Sequence, residues 1–164
     1  MKTIINIIII LTANIVFSQK TQCFINFSNI DKIYNLNSLE DIDSELKKLN
    51  YTFNFKSTYI TYWNEKAKSN FNISRNDFTN KIEFLFLDIN EKCYNNLKKE
   101  IIAAGFVKEN EKIDNYRINF YYRKNDKYII LGKVNGLNLD GEVVKTGYDF
   151  SICTEEKYFE LINR

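Results

Sequence analysis

Between Tyr116 and Val134 the chain reads YRINFYYRKNDKYIILGKV, and this stretch decides the fold class. Ile118, Phe120 and Tyr122 alternate with Arg117, Asn119, Tyr121 and Arg123, the period of two that sends neighbouring side chains to opposite faces of a strand. Asn125-Asp126 reads as a turn, and Tyr128 to Val134 returns as a second strand. Strands joined by so short a turn run antiparallel, because a parallel neighbour needs a long crossover. Asn135-Gly136 and Asp140-Gly141 are dipeptides favoured in tight hairpins, so the meander is expected to continue through short strands at Glu142 to Lys145 and Tyr148 to Ile152.

The same alternation occurs upstream. Tyr51 to Phe55 and Thr58 to Trp63 carry the aromatic and β-branched residues that suit a pleated surface. A polar stretch from Asn64 to Asn80 is broken only by Phe71, Ile73 and Phe78, and Lys81 to Leu87 is apolar on both faces, the mark of a central strand. Cys23, Ile25 and Phe27 alternate as well, which predicts a first strand over Thr21 to Phe27.

Helices interrupt these strands. Leu39, Ile42, Leu46 and Leu49 fall on one stripe behind Ser38, predicting a helix from Ser38 to Leu49. Asn90 caps a second, in which Tyr94, Leu97, Ile101 and Ile102 keep helical spacing until Gly105 ends it. Thr154 opens a third, running through Ile162. Ile82 to Asp88 followed by Asn90 looks like Tyr148 to Ile152 followed by Thr154, which suggests repeated strand-helix-strand units. The expected fold is α+β: a single antiparallel sheet with helices packed on one face. In topology, such tandem helix–strand units resemble the secreted β-lactamase-inhibitor domains; no residue motif is shared, and the resemblance carries over no site residue.

The start of the chain reads as an export signal. Lys2 precedes an almost wholly apolar run from Ile4 to Val16, and Ser18 is a small residue before a cut at Gln19. The run falls short of the roughly 20 apolar residues a spanning helix needs, so residues 1–18 are expected to be removed, leaving 19–164 as one α+β domain with no membrane span. The expected location is periplasmic or secreted. Loss of Lys2 takes the formal net charge from +2 to +1, which argues against a nucleic-acid partner. Three cysteines enter an oxidising space and can form at most one internal disulfide, whose pairing the spacing leaves open.

The chain has no histidine, which removes the commonest general base and metal ligand at neutral pH. Cys93 in the first turn of a helix has no histidine to activate it, and no Gly-x-Ser-x-Gly elbow is present. Gly136-x-Asn138-x-Asp140-Gly141 resembles the rhythm of a calcium loop, but Gly136 and Gly147 stand where that loop needs carboxylates. No cofactor or metal site is read. Asn72-Ile73-Ser74 matches a glycosylation sequon. Glu65, Glu83, Asp88 and Asp114 are available to a carboxylate-dependent hydrolase, though nothing in the sequence sets them apart from ordinary surface acids.

The remaining signal is aromatic and basic. Tyr59, Thr61 and Trp63 share one strand face, as do Arg117, Asn119, Tyr121 and Arg123. If helices cover the other side, this face is open, and exposed Tyr, Trp and Arg are the residues of binding hot spots; otherwise the same aromatics complete a core. The functional expectation is an exported, non-enzymatic domain of inhibitor or immunity type. It would hold a protein or glycan partner through Tyr59, Trp63, Arg117, Tyr121 and Arg123. The alternative is a small hydrolase or carbohydrate-binding module that uses carboxylates and aromatics.

Overall fold

A computed structural model describes residues 23–114, 116–137 and 143–163 of the chain. The export signal read at 1–18 and the Asp140-Gly141 turn lie outside the described residues.

Asn26 accepts a hydrogen bond from the Asn29 amide and starts α1 (Phe27–Tyr34). The strand expected over Thr21 to Phe27 is therefore corrected: Ile30 and Ile33 continue from Phe27 at helical spacing, and burying all three outweighs the short alternation before them. Ser38 caps α2 (Leu39–Lys48), which buries Ile42 and Leu46 and leaves Leu39 exposed. Then come β1 (Thr52–Lys56), β2 (Ile60–Asn64), β3 (Ser69–Arg75) and β4 (Ile82–Ile89). Asn90 caps α3 (Glu91–Ala103), and Gly105, at φ +87°, ends it. The chain continues through β5 (Val107–Ile113), β6 (Arg117–Lys124), β7 (Lys127–Leu137) and β8 (Val143–Cys153) to α4 (Glu155–Ile162).

Among the described residues all eight strands form one antiparallel sheet in the order β1-β2-β3-β4-β8-β7-β6-β5. β4 is central, between β3 and β8, as its two apolar faces require. The expected turn joins β6 to β7, with Asn125 in the left-handed region and Lys124 opposite Lys127. Asn135-Gly136 is not a turn: Gly136 pairs with Lys145 inside the β7–β8 ladder, so the described part of the short strand expected at Glu142–Lys145 and the one expected at Tyr148–Ile152 belong to one long β8, Glu142 lying outside the described residues.

Paired residues share a face, so the ladders define two. The inner face carries Tyr62, Phe71, Leu87, Phe150 and Leu131, and a neighbouring row of Ile73, Leu85, Ile152 and Ile129. These side chains pack with α1, α2 and α3 in the main core. Among the described residues the outer face is covered only at one end, where Tyr158 of α4 packs on Tyr121, Tyr128, Ile130 and Cys153. The helices therefore do not all share one face: residues of α1, α2 and α3 join the inner cluster, and Tyr158 of α4 joins the outer one. Both sequence-matched segments are strand-to-helix passages, but α3 leaves β4 for the inner face and α4 leaves β8 for the outer one.

Cys23 and Cys93 form a disulfide across 70 residues of sequence, tying the start of the described chain to α3, and Cys153 is a buried free thiol. The pair fits an oxidising compartment. Among the described residues no helix is long and apolar enough to cross a membrane.

Candidate functional site

The two residue sets singled out in the sequence lie on the same outer face, at opposite sides of it. Thr61 and Trp63 of β2 connect through the ladders to Asn72 and Asn70 of β3, and onward across β4, β8 and β7 to β6, which carries Arg117, Asn119, Tyr121 and Arg123. Five strand spacings separate β2 from β6, roughly 24 Å. One small ligand cannot touch both sets.

At the β6 side the residues are engaged within the protein. Tyr121 is only 1% exposed and meets the Tyr158 ring edge-on at 5.6 Å, so it supports α4 and is closed to a partner. Arg123 lies over the Tyr128 ring at 5.2 Å, donates to the Asn125 carbonyl and stays exposed. Arg117 is committed twice, donating through Nη2 to Asp149 at 2.8 Å and through Nε to Asn119 at 2.6 Å.

The β2 side is open. Trp63 is half-buried and donates its indole N–H to Glu65 at 2.8 Å, and Tyr59, 37% exposed, packs near Phe84 with centroids 6.4 Å apart. Phe84 and Phe86 stack along β4, each half-buried. Between the rings run Thr61, Asn70, Asn72 and Ser74, and Thr61 donates to Asn72 at 2.9 Å. Asn72 of the sequon is thus held in the middle of the sheet. The result is a platform of aromatic rings separated by small amide and hydroxyl groups.

One end of this face opens into a cleft of about 840 Å³, whose lining includes Phe86, Asp88, Arg117, Asp149 and Lys145. Asp88 and Asp149 are directly opposed on neighbouring strands. Asp149 is 3% exposed; burial pushes its carboxyl up to about 6, helped by the Asp88 charge and opposed by Arg117 and by a hydrogen bond from the Gly132 backbone. Asp88 is also raised, because partial burial of its carboxyl outweighs a hydrogen bond with Asn70. Gly132 makes room for the cluster: a Cβ there would lie 2.3 Å from Asp149 Oδ1 and 2.7 Å from Arg117 Nη2.

The other carboxylates considered from the sequence are spent locally. Glu65 holds Trp63 and Lys68, Glu83 accepts from Asn76, and Asp114 accepts from the amides of Tyr116 and Arg117. Cys93 is oxidised in the disulfide, and burial pushes the Cys153 thiol up to about 12, so neither supplies a thiolate near neutral pH. Among the described residues no group of three or more Cys, Asp or Glu is placed to hold a metal.

Sequence reasoning missed Phe84, Phe86, Gly132 and Asp149. Part of the signal was present: Phe84 and Phe86 alternate with Leu85 and Leu87, and a glycine and an aspartate interrupt two apolar strands, at positions that the register pairs. No protein-family model, curated protein or solved structure matches the chain, so the reading of this face rests on its own geometry.

Proposed function

We propose that the chain is an exported, non-enzymatic binding domain, residues 19–164, that holds a protein partner against the uncovered part of the outer face. One observation carries this reading: Tyr59, Trp63, Phe84 and Phe86 stand partly exposed among Thr61, Asn70, Asn72 and Ser74 on a rigid sheet. Large rings give contact area at low entropic cost, and short polar side chains adapt their hydrogen bonds; this is the composition of protein-recognition surfaces. Arg123 extends the contact at the far side, Arg117 acts through Asp149, and Tyr121 props α4. The Cys23–Cys93 disulfide agrees with export. In the same reading the sheet is two four-stranded halves, β1–β4 and β5–β8, preceded by α2 and α3 and joined at β4–β8.

The test is capture from envelope and culture fluid by the purified chain, followed by mass spectrometry. Trp63→Ala and Arg123→Ala are expected to keep the circular dichroism of the parent and to lose at least about tenfold in affinity for the captured protein, the loss typical of a hot-spot truncation. Folded variants that both bind at full strength refute the assignment.

A second reading, a carboxylate-dependent hydrolase, draws on the opposed Asp88 and Asp149 in the cleft. It predicts turnover of a glycan without any protein partner, abolished by Asp88→Asn. The depth of Asp149 and its ion pair with Arg117 favour the binding reading, since a general acid must reach its substrate.

A further inference from the structure

The cluster at the end of the outer face is built from an unusual set of choices. A buried aspartate sits in mid-strand, an arginine reaches it from two strands away, and the strand between carries a glycine whose missing Cβ leaves the space both side chains occupy. Arg117 keeps a third of its side-chain surface exposed while Asp149 keeps 5%, so the guanidinium spans from the buried carboxylate to the cleft. Asn119 is its second tie.

We propose that Arg117 is a proton-controlled arm of the binding face, clamped flat onto Asp149 when that carboxylate is ionised and released into the cleft when it takes up a proton. The proposal rests on the binding reading above, whose regulation it supplies.

The charges around Asp149 explain why a proton can compete with the arginine. β4 presents Asp88 directly opposite, a like charge that disfavours ionisation. β6 presents Arg117, whose positive charge favours ionisation, and β7 contributes a hydrogen bond from the Gly132 backbone. From α3 on the inner side comes Tyr94, whose hydroxyl is raised to about 12 and stays neutral throughout. Lys68, Lys145 and Glu91 stand around the cleft. With burial the largest influence, the carboxyl titrates at about 6, within the range an exported protein meets. Below that value the ion pair loses its negative half; the guanidinium keeps Asn119 alone and turns its free donors to the cleft. Above it the clamp closes. The clamped fraction falls about tenfold for each pH unit below the midpoint.

The experiment is an NMR titration of the purified chain without any partner, following the Asp149 side-chain carboxyl carbon and the Arg117 Nε–H between about pH 4.5 and about pH 8. Both signals are expected to move with one midpoint near 6, and rotation about the Arg117 Cζ–Nη2 bond, hindered while Nη2 donates to Asp149, to quicken about tenfold on the acid side. Asp149→Asn should show the released Arg117 signature at every pH. Asp88→Asn, which removes the opposing charge but leaves the clamp, should lower the shared midpoint. An Arg117 signal that is flat across the range overturns the proposal, as does one that titrates unchanged in Asp149→Asn. If that variant does not fold, an unmoved midpoint in Asp88→Asn overturns it instead. Partner capture that depends on Trp63 yet not on pH would remove the switch and leave the binding reading in place.

Discussion

A methyl group on residue 132 would stand 2.3 Å and 2.6 Å from the two carboxylate oxygens of Asp149. Gly132→Ala must therefore push Asp149 and Arg117 apart or bend β7, and overpacking of this kind costs about 1–3 kcal/mol. Urea denaturation is expected to show that loss. The Asp149 carboxyl, raised to about 6, gives a second prediction. The folded state holds this proton more tightly than the unfolded chain does, so between the ordinary aspartate value and about 6 stability falls as pH rises, and above that window the contribution is constant. Asp149→Asn should flatten this descent, by roughly 2–3 kcal/mol across the window, in thermal melts compared with the parent; an equal slope in both proteins would count against the buried-proton account. The two residues were partly legible in advance. A glycine between Leu131 and Lys133, and an aspartate between Tyr148 and Phe150, break apolar strands, but only the register shows that the breaks meet.

The same limit operates on whole elements. α2 and α3 could be read because caps and a continuous apolar stripe coincide, with Ser38 and Asn90 at their starts. β4, β6 and β7 could be read because alternation or continuous apolarity extends over many residues. β3 was missed because only Phe71 and Ile73 alternate within polar sequence, and β5 because an edge strand with every side chain exposed has no inner face to declare itself. α1 was missed, and the segment leading into it suggested a strand because Ile25 and Phe27 are both buried, through a capped helix start. What fastens α1 is also invisible in spacing: Cys23 is bonded to Cys93 and the Phe27 amide donates to Glu100 at 2.6 Å. Closing a loop of 70 residues removes chain entropy from the unfolded state worth ~4 kcal/mol in the loop-closure description. The double variant Cys23→Ser, Cys93→Ser should lose stability of that order in denaturant. Cys153→Ala, which cuts no crosslink, should lose far less. Comparable losses would mean that the disulfide closes no costly loop.

At the scale of the molecule, antiparallel topology follows from the Asn125-Asp126 turn and its neighbours, and the α+β class from the helices between strands. The distribution of helices does not follow from either. α4 is short and aromatic, and whether Tyr158 goes to the inner or the outer face depends on which side still lacks cover once α1, α2 and α3 are placed. That outcome shapes the proposed function. α4 closes the outer face over β6 and β7, buries Tyr121, has Phe84 of β4 packed at the edge of its cluster, and leaves Trp63 of β2 and Phe86 of β4 partly exposed beyond it. The binding account therefore commits to a place: Tyr59, Trp63, Phe84 and Phe86, not the exposed rings elsewhere. Oxidative footprinting of aromatic side chains, with and without the captured partner, reads this directly. The account predicts that those four are shielded in the complex, while Phe53 on the opposite face, Phe78 and Tyr116 are oxidised as before. Shielding of Phe53, Phe78 or Tyr116 with Trp63 and Phe86 unprotected would contradict it.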